Sequence, residues 1–232
     1  MITPVPDIKQ LTGQTTAHLV EFGELAQLHK ETVSDWLALS VSAAYAGFEL
    51  AIASSFRSFE RQLIIWNQKA NGERALLDAE ERVIGPEEIA SMSAEALLFE
   101  MLRWSALPGS SRHHWGSDID VYDKKAVLAD EPFELLASDC VVGGKFATLH
   151  EWLDKKIASN EANGFFRPYV GNNKVMHEPW HLSHKPVSAC FEAELSYQLL
   201  KDFYQGNAQI ALNTEIADNF EAIYTQYICI AN

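Results

Sequence analysis

The chain has 232 residues, with 18 Lys and Arg against 32 Asp and Glu, a formal net charge of −14 with histidines neutral. A hydrophobic fraction of 47% with six Trp is ample for a core and excludes an intrinsically disordered chain. The acidic balance leaves no global positive field, which argues against nucleic acid or an anionic membrane surface as partner.

No internal repeat, low-complexity tract or Pro/Gly/Ser-rich linker interrupts the sequence, so a single domain over residues 1–232 is expected. Cys140, Cys190 and Cys229 are odd in number and widely spaced, which speaks against a disulfide framework or a thiolate zinc site and leaves them as buried thiols. The opening Met-Ile-Thr-Pro-Val-Pro-Asp has neither a basic n-region nor an apolar h-region, so the expected compartment is cytoplasmic, or periplasmic if a leader has been trimmed. The longest uncharged apolar stretch, Trp36 to Phe48, is broken by Ser40, Ser42 and Gly47 and is too short to span a bilayer. Nothing in the sequence signals an oligomeric state.

In chain order, residues from about Leu19 to Tyr45 read as helical, with a second segment starting at Asp35 and carrying Leu37, Val41 and Ala44 on one face. Phe48, Leu50 and Ile52 then alternate with Glu49, Ala51 and Ala53 as a strand. Ser58 caps a helix with Phe59, Leu63, Trp66 and Ala70 on one face, ended by Gly72. A charged connection from Glu73 to Glu88 leads to a helix marked by Ala94, Leu97, Leu98, Met101 and Leu102 and closed by Pro108-Gly109. Ser117 to Tyr122 alternates as a strand, with Ile119 and Val121 on one face and Asp118, Asp120 and Tyr122 on the other. Phe146, Leu149, Leu153 and Ile157 form a helical stripe, Val175 to Glu178 reads as a strand, and the tail returns to helix through Leu195, Leu199 and Phe203, then Ile216, Phe220, Ile223 and Tyr227. Strands and helices mixed without a βαβ repeat give an α+β fold, a small, mainly antiparallel sheet with flanking helices.

Six of the eight histidines fall between residues 113 and 184, and five of these lie in two clusters: Ser111-Arg112-His113-His114-Trp115-Gly116-Ser117-Asp118-Ile119-Asp120 and His177-Glu178-Pro179-Trp180-His181-Leu182-Ser183-His184. Together they supply two imidazoles, a carboxylate and a further carboxylate nearby, the composition of a catalytic zinc site that keeps one position open. Asp120, between apolar strand neighbours, is held rigidly, and a turn at Gly116 can return His113, seven residues earlier, to the same ion. Glu178 and His181 would point to opposite faces of a regular strand, so both reach one metal only if the chain bends at Pro179-Trp180. His181 then binds the ion, and Glu178 stands behind it as general base.

The combined order resembles a known family. Ser111-x-His113-x-x-Gly116-x-Asp118-x-Asp120 followed by Glu178-x-Trp180-His181 is similar to S-x-H-x-x-G-x-A-x-D and E-x-W-H of the zinc D-alanyl-D-alanine carboxypeptidase and dipeptidase family typified by VanY and VanX. Ser55-Phe56-Arg57-Ser58-Phe59 with Gln62 resembles that family's S-G-Y-R-S-Y…Q segment. The resemblance covers about residues 48–184, leaving helical regions at 1–47 and 187–232 outside it, and implies a hedgehog/D,D-peptidase-like fold. It implies one Zn²⁺ per chain on His113, Asp120 and His181, Glu178 as catalytic base, and Arg57 as the cation near the scissile carbonyl. Ser111, Gln62 and Trp180 are the candidate substrate contacts, Trp180 chiefly as a pocket wall. The implied reaction is hydrolysis of the C-terminal bond of a peptidoglycan-type peptide ending in a D-amino acid, with release of D-alanine. L,D-carboxypeptidase, D,D-dipeptidase and wall endopeptidase activities use the same motifs, and a non-catalytic zinc-stabilised binding domain is the alternative of another class. The chain departs from the family at Asp118, where the family has a small residue, and at Ser55-Phe56, where it has Gly-Tyr. Asp118 is expected to accept a hydrogen bond from a liganding imidazole or from Arg57.

Overall fold

The computed structural model describes residues 5–23, 26–128, 134–170 and 174–229. After a one-turn helix α1 (Ile8–Leu11), β1 (Leu19–Phe22) and β2 (Ala26–His29) form an antiparallel hairpin with Leu19 opposite His29. Helix was expected here. Over so short a run the apolar residues fit either period, and Gly23, at φ +65°, makes a turn where a helix would need to continue. The hairpin is also stitched to the rest of the fold, with His29 N donating to Gly116 O and Phe56 N to Gln27 O.

Helix α2 (Val33–Tyr45) buries Trp36, Leu39 and Ala43, whereas Leu37 and Val41, the expected inner stripe, are exposed. In a helix built almost wholly of small and apolar residues several faces fit the period, and the bulky Trp36 sets the choice. β3 (Leu50–Ser54) follows, bulged between Ile52 and Ser54, and leads into α3 (Phe59–Ala70). Ser58 Oγ accepts from Arg61 N and caps α3 as expected. Ser58→Ala should lower the unfolding free energy by about 0.5–2 kcal/mol, read by urea denaturation.

The 73–88 connection carries a single bridge, Leu77 to Val83, before α4 (Pro86–Ser91) and α5 (Ala94–Leu102). Helix α5 ends well before Pro108, and residues 103–111 form a loop over the site. A 3-10 turn at Arg112–Trp115 and Gly116 at φ +70° feed β4 (Asp118–Asp123). A Cβ at Gly116 would lie 2.4 Å from Leu19 Cδ2 and 2.8 Å from His29 N, so the motif glycine is required by close packing as well as by its backbone angle. Then come α6 (Ala137–Cys140), α7 (Ala147–Ala158), with Leu149 and Leu153 inward, and the short β5 (Phe165–Phe166).

Residues 175–178 do not form the expected strand. Pro179 has no N–H, and the backbone bonds of this segment go to loops: Met176 N to Arg103 O and Glu178 N to Tyr169 O. The strand begins three residues later as β6 (His181–His184), which runs directly into α8 (Lys185–Glu194), with Pro186 in its first turn. Leu195 lies in the break before α9 (Tyr197–Gln205), and α10 (Asn213–Asp218) and α11 (Phe220–Ile223) complete the helical tail.

The main sheet has strand order β3-β4-β6-β5, antiparallel throughout, giving the α+β, single-domain architecture expected. Ile119, Val121 and Leu182 face a core made with Trp36 and Leu39 of α2 and Leu149 and Leu153 of α7. A larger core joins α3, α5 and the C-terminal helices around Trp66, Met101, Phe191 and Phe203. Of the three cysteines only Cys140 is buried; Cys190 is half-buried and Cys229 exposed, because Cys229 sits past the last packed turn. No helix among the described residues is long and apolar enough to cross a membrane.

Candidate active site

The site lies on the central strand pair. Asp120 of β4 stands directly opposite His181 of β6, and cross-strand partners share a sheet face. The turn through Gly116 folds His113 back over the same face, its ring 4.8 Å from that of His181. His113 Nε2 lies 3.4 Å from Asp120 Oδ2, and His181 Nδ1 lies 3.2 Å from Asp120 Oδ1. The three ligand-type atoms all fall within 4.8 Å of one another, the one such cluster of buried His, Cys, Asp and Glu side chains among the described residues.

The outward nitrogen of each imidazole is tied down. His113 Nδ1 donates to Ser55 O at 2.9 Å and His181 Nε2 to Asp118 Oδ1 at 3.0 Å, leaving His113 Nε2 and His181 Nδ1 facing the Asp120 carboxylate. His181 Nδ1 and Asp120 Oδ1 are buried without a hydrogen-bond partner. Such atoms need an explanation, and a cation between them supplies one. Burial opposes charge on both residues, yet His113 and His181 hold the Asp120 carboxyl far below the usual carboxylate range. The carboxylates of Asp118, Asp120 and Glu178, against the penalty of burial, raise His181 well above an ordinary histidine. Excess negative charge thus converges on one imidazole.

The adjacent His114 faces away. Its Nδ1 donates to Arg57 O and its Nε2 accepts from Gly109 N, and burial pushes it down to about 3. With both nitrogens used and the ring neutral, it is a structural staple between two loops.

The bend needed at Pro179-Trp180 is present: His181 N donates to Glu178 O at 3.0 Å, and Glu178 Oε2 comes within 3.5 Å of His181 Nδ1. Arg57 approaches from the β3–α3 loop, its Nη1 donating to Gln62 Oε1 (2.8 Å) and its Nη2 to Ser54 Oγ (3.1 Å). Its backbone N donates to His113 O, so cation and imidazole move as one unit. Gln62 spends its other amide end on Ala106 O (2.7 Å) and so holds Arg57 against the 103–111 loop. Arg57, Gln62, Ser111, Glu178 and Trp180 all line, with the three-residue cluster, a cavity of about 320 Å³. The Trp180 ring stacks on that of Trp104, which lines the same cavity.

Asp118 accepts from His181, one of its two expected donors; the other is Arg112 rather than Arg57. Arg112 Nε reaches Asp118 Oδ1 at 2.7 Å, and Ser117 Oγ donates to Asp118 Oδ2 at 2.6 Å. Arg112 is also bonded to Ser183 Oγ (2.6 Å) and to Glu192 of α8, and lies over the Trp115 ring. Although burial would raise it, Arg112 keeps the Asp118 carboxyl far below its usual range. Sequence reasoning missed this clamp, along with Tyr169, whose ring meets that of His181 edge-on at 4.9 Å, and Lys69, on the cavity wall. Lys69 had a legible signal, since it falls seven residues after Gln62 on the same helix face. Tyr169 lies in irregular chain and had none.

A strand pair that presents two imidazoles and a carboxylate to a cavity, with helices behind it, is the arrangement of a D,D-peptidase-like fold. The family model for VanY, D-alanyl-D-alanine carboxypeptidase, matches residues 25–187, more than half of the chain, and the chain belongs to that family. It is similar to VanYB in complex with D-alanine-D-alanine (TM-score 0.54, 18% identity, 88% of this chain and 90% of that one). A Zn(II) complex of a mutant of the vancomycin-resistance D,D-pentapeptidase VanY gives a TM-score of 0.51 at 19% identity, covering 87% and 92%. An uncharacterized protein of Haemophilus influenzae is 27% identical over 122 residues, 53% of this chain and 92% of that protein.

Proposed function

We propose that the chain is a zinc-dependent carboxypeptidase that hydrolyses the C-terminal peptide bond of peptidoglycan-type peptides and releases D-alanine. The observation that carries this reading is the pair of inward, partnerless atoms His181 Nδ1 and Asp120 Oδ1, facing His113 Nε2 with Glu178 alongside. These donors suit zinc, which takes imidazole nitrogen and carboxylate oxygen and in catalytic sites leaves a position open. Zinc held by His113, Asp120 and His181 supplies Lewis acidity that brings the pKa of water to about 7.

The chain's own residues do the remaining work. Glu178 takes a proton from the attacking water onto its carboxylate and passes it to the departing amine. Arg57, kept in aim by Gln62 and Ser54, faces the developing oxyanion, a contribution whose loss typically costs about 3–4 kcal/mol. Ser111 and Trp180 border the peptide. A domain that merely used zinc for stability would need neither Glu178 nor Arg57 in the cavity.

The purified, zinc-loaded protein should hold about one ion per chain by elemental analysis. The ion should be lost in the folded triple variant His113→Ala/Asp120→Ala/His181→Ala; unchanged metal content there would overturn the ligand assignment. Muropeptide tetra- and pentapeptides and free D-Ala-D-Ala, incubated with the protein and read by mass spectrometry, test the reaction. Release of D-alanine from pentapeptide is the expected result, and cleavage of none of them would refute it.

A further inference from the structure

We propose that Lys69, with Ser105 beside it, forms a carboxylate-binding subsite on the leaving-group side of the cavity, so that preferred substrates carry a free carboxylate next to the scissile bond. This rests on the peptidase reading above and assigns the side of the cavity that the motif residues do not occupy.

Placement comes first. Seven residues separate Gln62 from Lys69, about 10 Å along α3, and helical side chains lean toward the helix N-terminus, which swings the ammonium back toward Gln62. Lys69 Nζ donates to Ser105 Oγ, and the next residue, Ala106, accepts from Gln62 through its carbonyl. Gln62 in turn holds Arg57. Two cations therefore lie along one wall, Arg57 beside the histidine and carboxylate cluster and Lys69 one step beyond it.

Charge is the second argument. Among the described residues neither Lys69 nor Arg57 has a carboxylate within ion-pair distance, whereas surface lysines such as Lys155 and Lys156 pair with Glu151 and Glu161. In a chain with 32 acidic and 18 basic residues, an inward lysine without an acidic partner is an exception. Glu81 lines the same cavity, but its carboxylate is taken up by the backbone N–H groups of Ala137 and Ser138. Burial, reinforced by the nearby charge of Arg74 and only partly offset by that of Glu178, lowers the Lys69 ammonium to about 8. Leu77, Leu102 and Leu107 give the same cavity apolar wall. An ammonium has three N–H donors, and Ser105 takes one, so a ligand oxygen can occupy the others. A carboxylate is the anion that a peptide brings to this position, either as the terminal α-carboxylate or as an acidic side chain of the departing residue.

The test measures binding of three acylated peptides to zinc-loaded Glu178→Gln protein by calorimetry, with Lys69 intact, Lys69→Met or Lys69→Arg. The peptides end in D-Ala-D-Ala free acid, in D-Ala-D-Ala amide, and in D-Ala-D-Glu amide. The free acid should bind about 10- to 100-fold tighter than its amide, Lys69→Met should abolish the difference, and Lys69→Arg should keep part of it. Recovery of Lys69-dependent affinity by the D-Glu amide supports the subsite and identifies the side chain as its occupant. Methionine fills the lysine's volume without its charge, and near-UV circular dichroism confirms the fold. A carboxylate preference that survives Lys69→Met, or no preference in the parent protein, overturns the subsite. Turnover by the wild type with a preference indifferent to Lys69 sinks this inference alone; Lys69-dependent binding with no peptide cleaved sinks the peptidase reading alone.

Discussion

Glu178→Gln should keep zinc bound while slowing peptide cleavage by about 10²- to 10⁴-fold, the usual worth of a positioned general base. The loop that presents Glu178 is held by backbone groups, Glu178 N on Tyr169 O and His181 N on Glu178 O, so the substitution leaves the bend in place. Only the carboxylate's capacity to accept a proton is lost. Its oxygen is 3.5 Å from His181 Nδ1, close enough to meet a water in the open position but outside the three-residue cluster. His181→Ala differs in kind, because it removes an inward nitrogen and should lose zinc and activity together. Elemental analysis paired with kcat on a cleaved muropeptide separates the two variants, and a wild-type kcat for Glu178→Gln would mean the proton goes elsewhere.

The parts of this architecture that were legible in the sequence are those where local pattern and tertiary contact agree. Alternation through Ile119 and Val121 put Asp118 and Asp120 on one face because β4 has an apolar core behind it and a polar site in front. Ser58 marked the start of α3 because its cap is a contact within four residues. The seven-residue interval from His113 to Asp120 could be read because a single glycine makes the return turn. Legibility failed where long-range bonds decide. The 19–29 hairpin is held by Gly116 and Phe56, the direction of α2 by one tryptophan, and the 175–178 segment by Arg103 and Tyr169. Arg112 was hidden for the same reason, since its partners lie 6, 71 and 80 residues away.

That arginine makes the departure at Asp118 the most informative position outside the three-residue cluster and Glu178. Asp118 Oδ1 receives both Arg112 Nε and His181 Nε2, so one carboxylate oxygen joins a buried ion pair to an imidazole of the cluster. Asp118 is wholly inaccessible and Arg112 is 5% exposed. Asp118→Ala, the family's small residue, therefore has two consequences that must be separated. It leaves a buried guanidinium short of a partner, which should cost about 3–5 kcal/mol of stability by urea denaturation. It also frees His181 Nε2, so the ring loses its orientation and its tautomer, and zinc affinity should fall about 10- to 100-fold against a competing chelator. The double variant Asp118→Ala/Arg112→Met removes both charges and should recover much of the stability, because a buried pair replaced by apolar groups of similar volume is often neutral. It should not recover zinc affinity, since His181 Nε2 still lacks its acceptor. If the stable double variant held zinc as tightly as the parent chain, Asp118 would be a partner for Arg112 and nothing more, and the orientation of His181 would have to come from its packing against Tyr169 and His113.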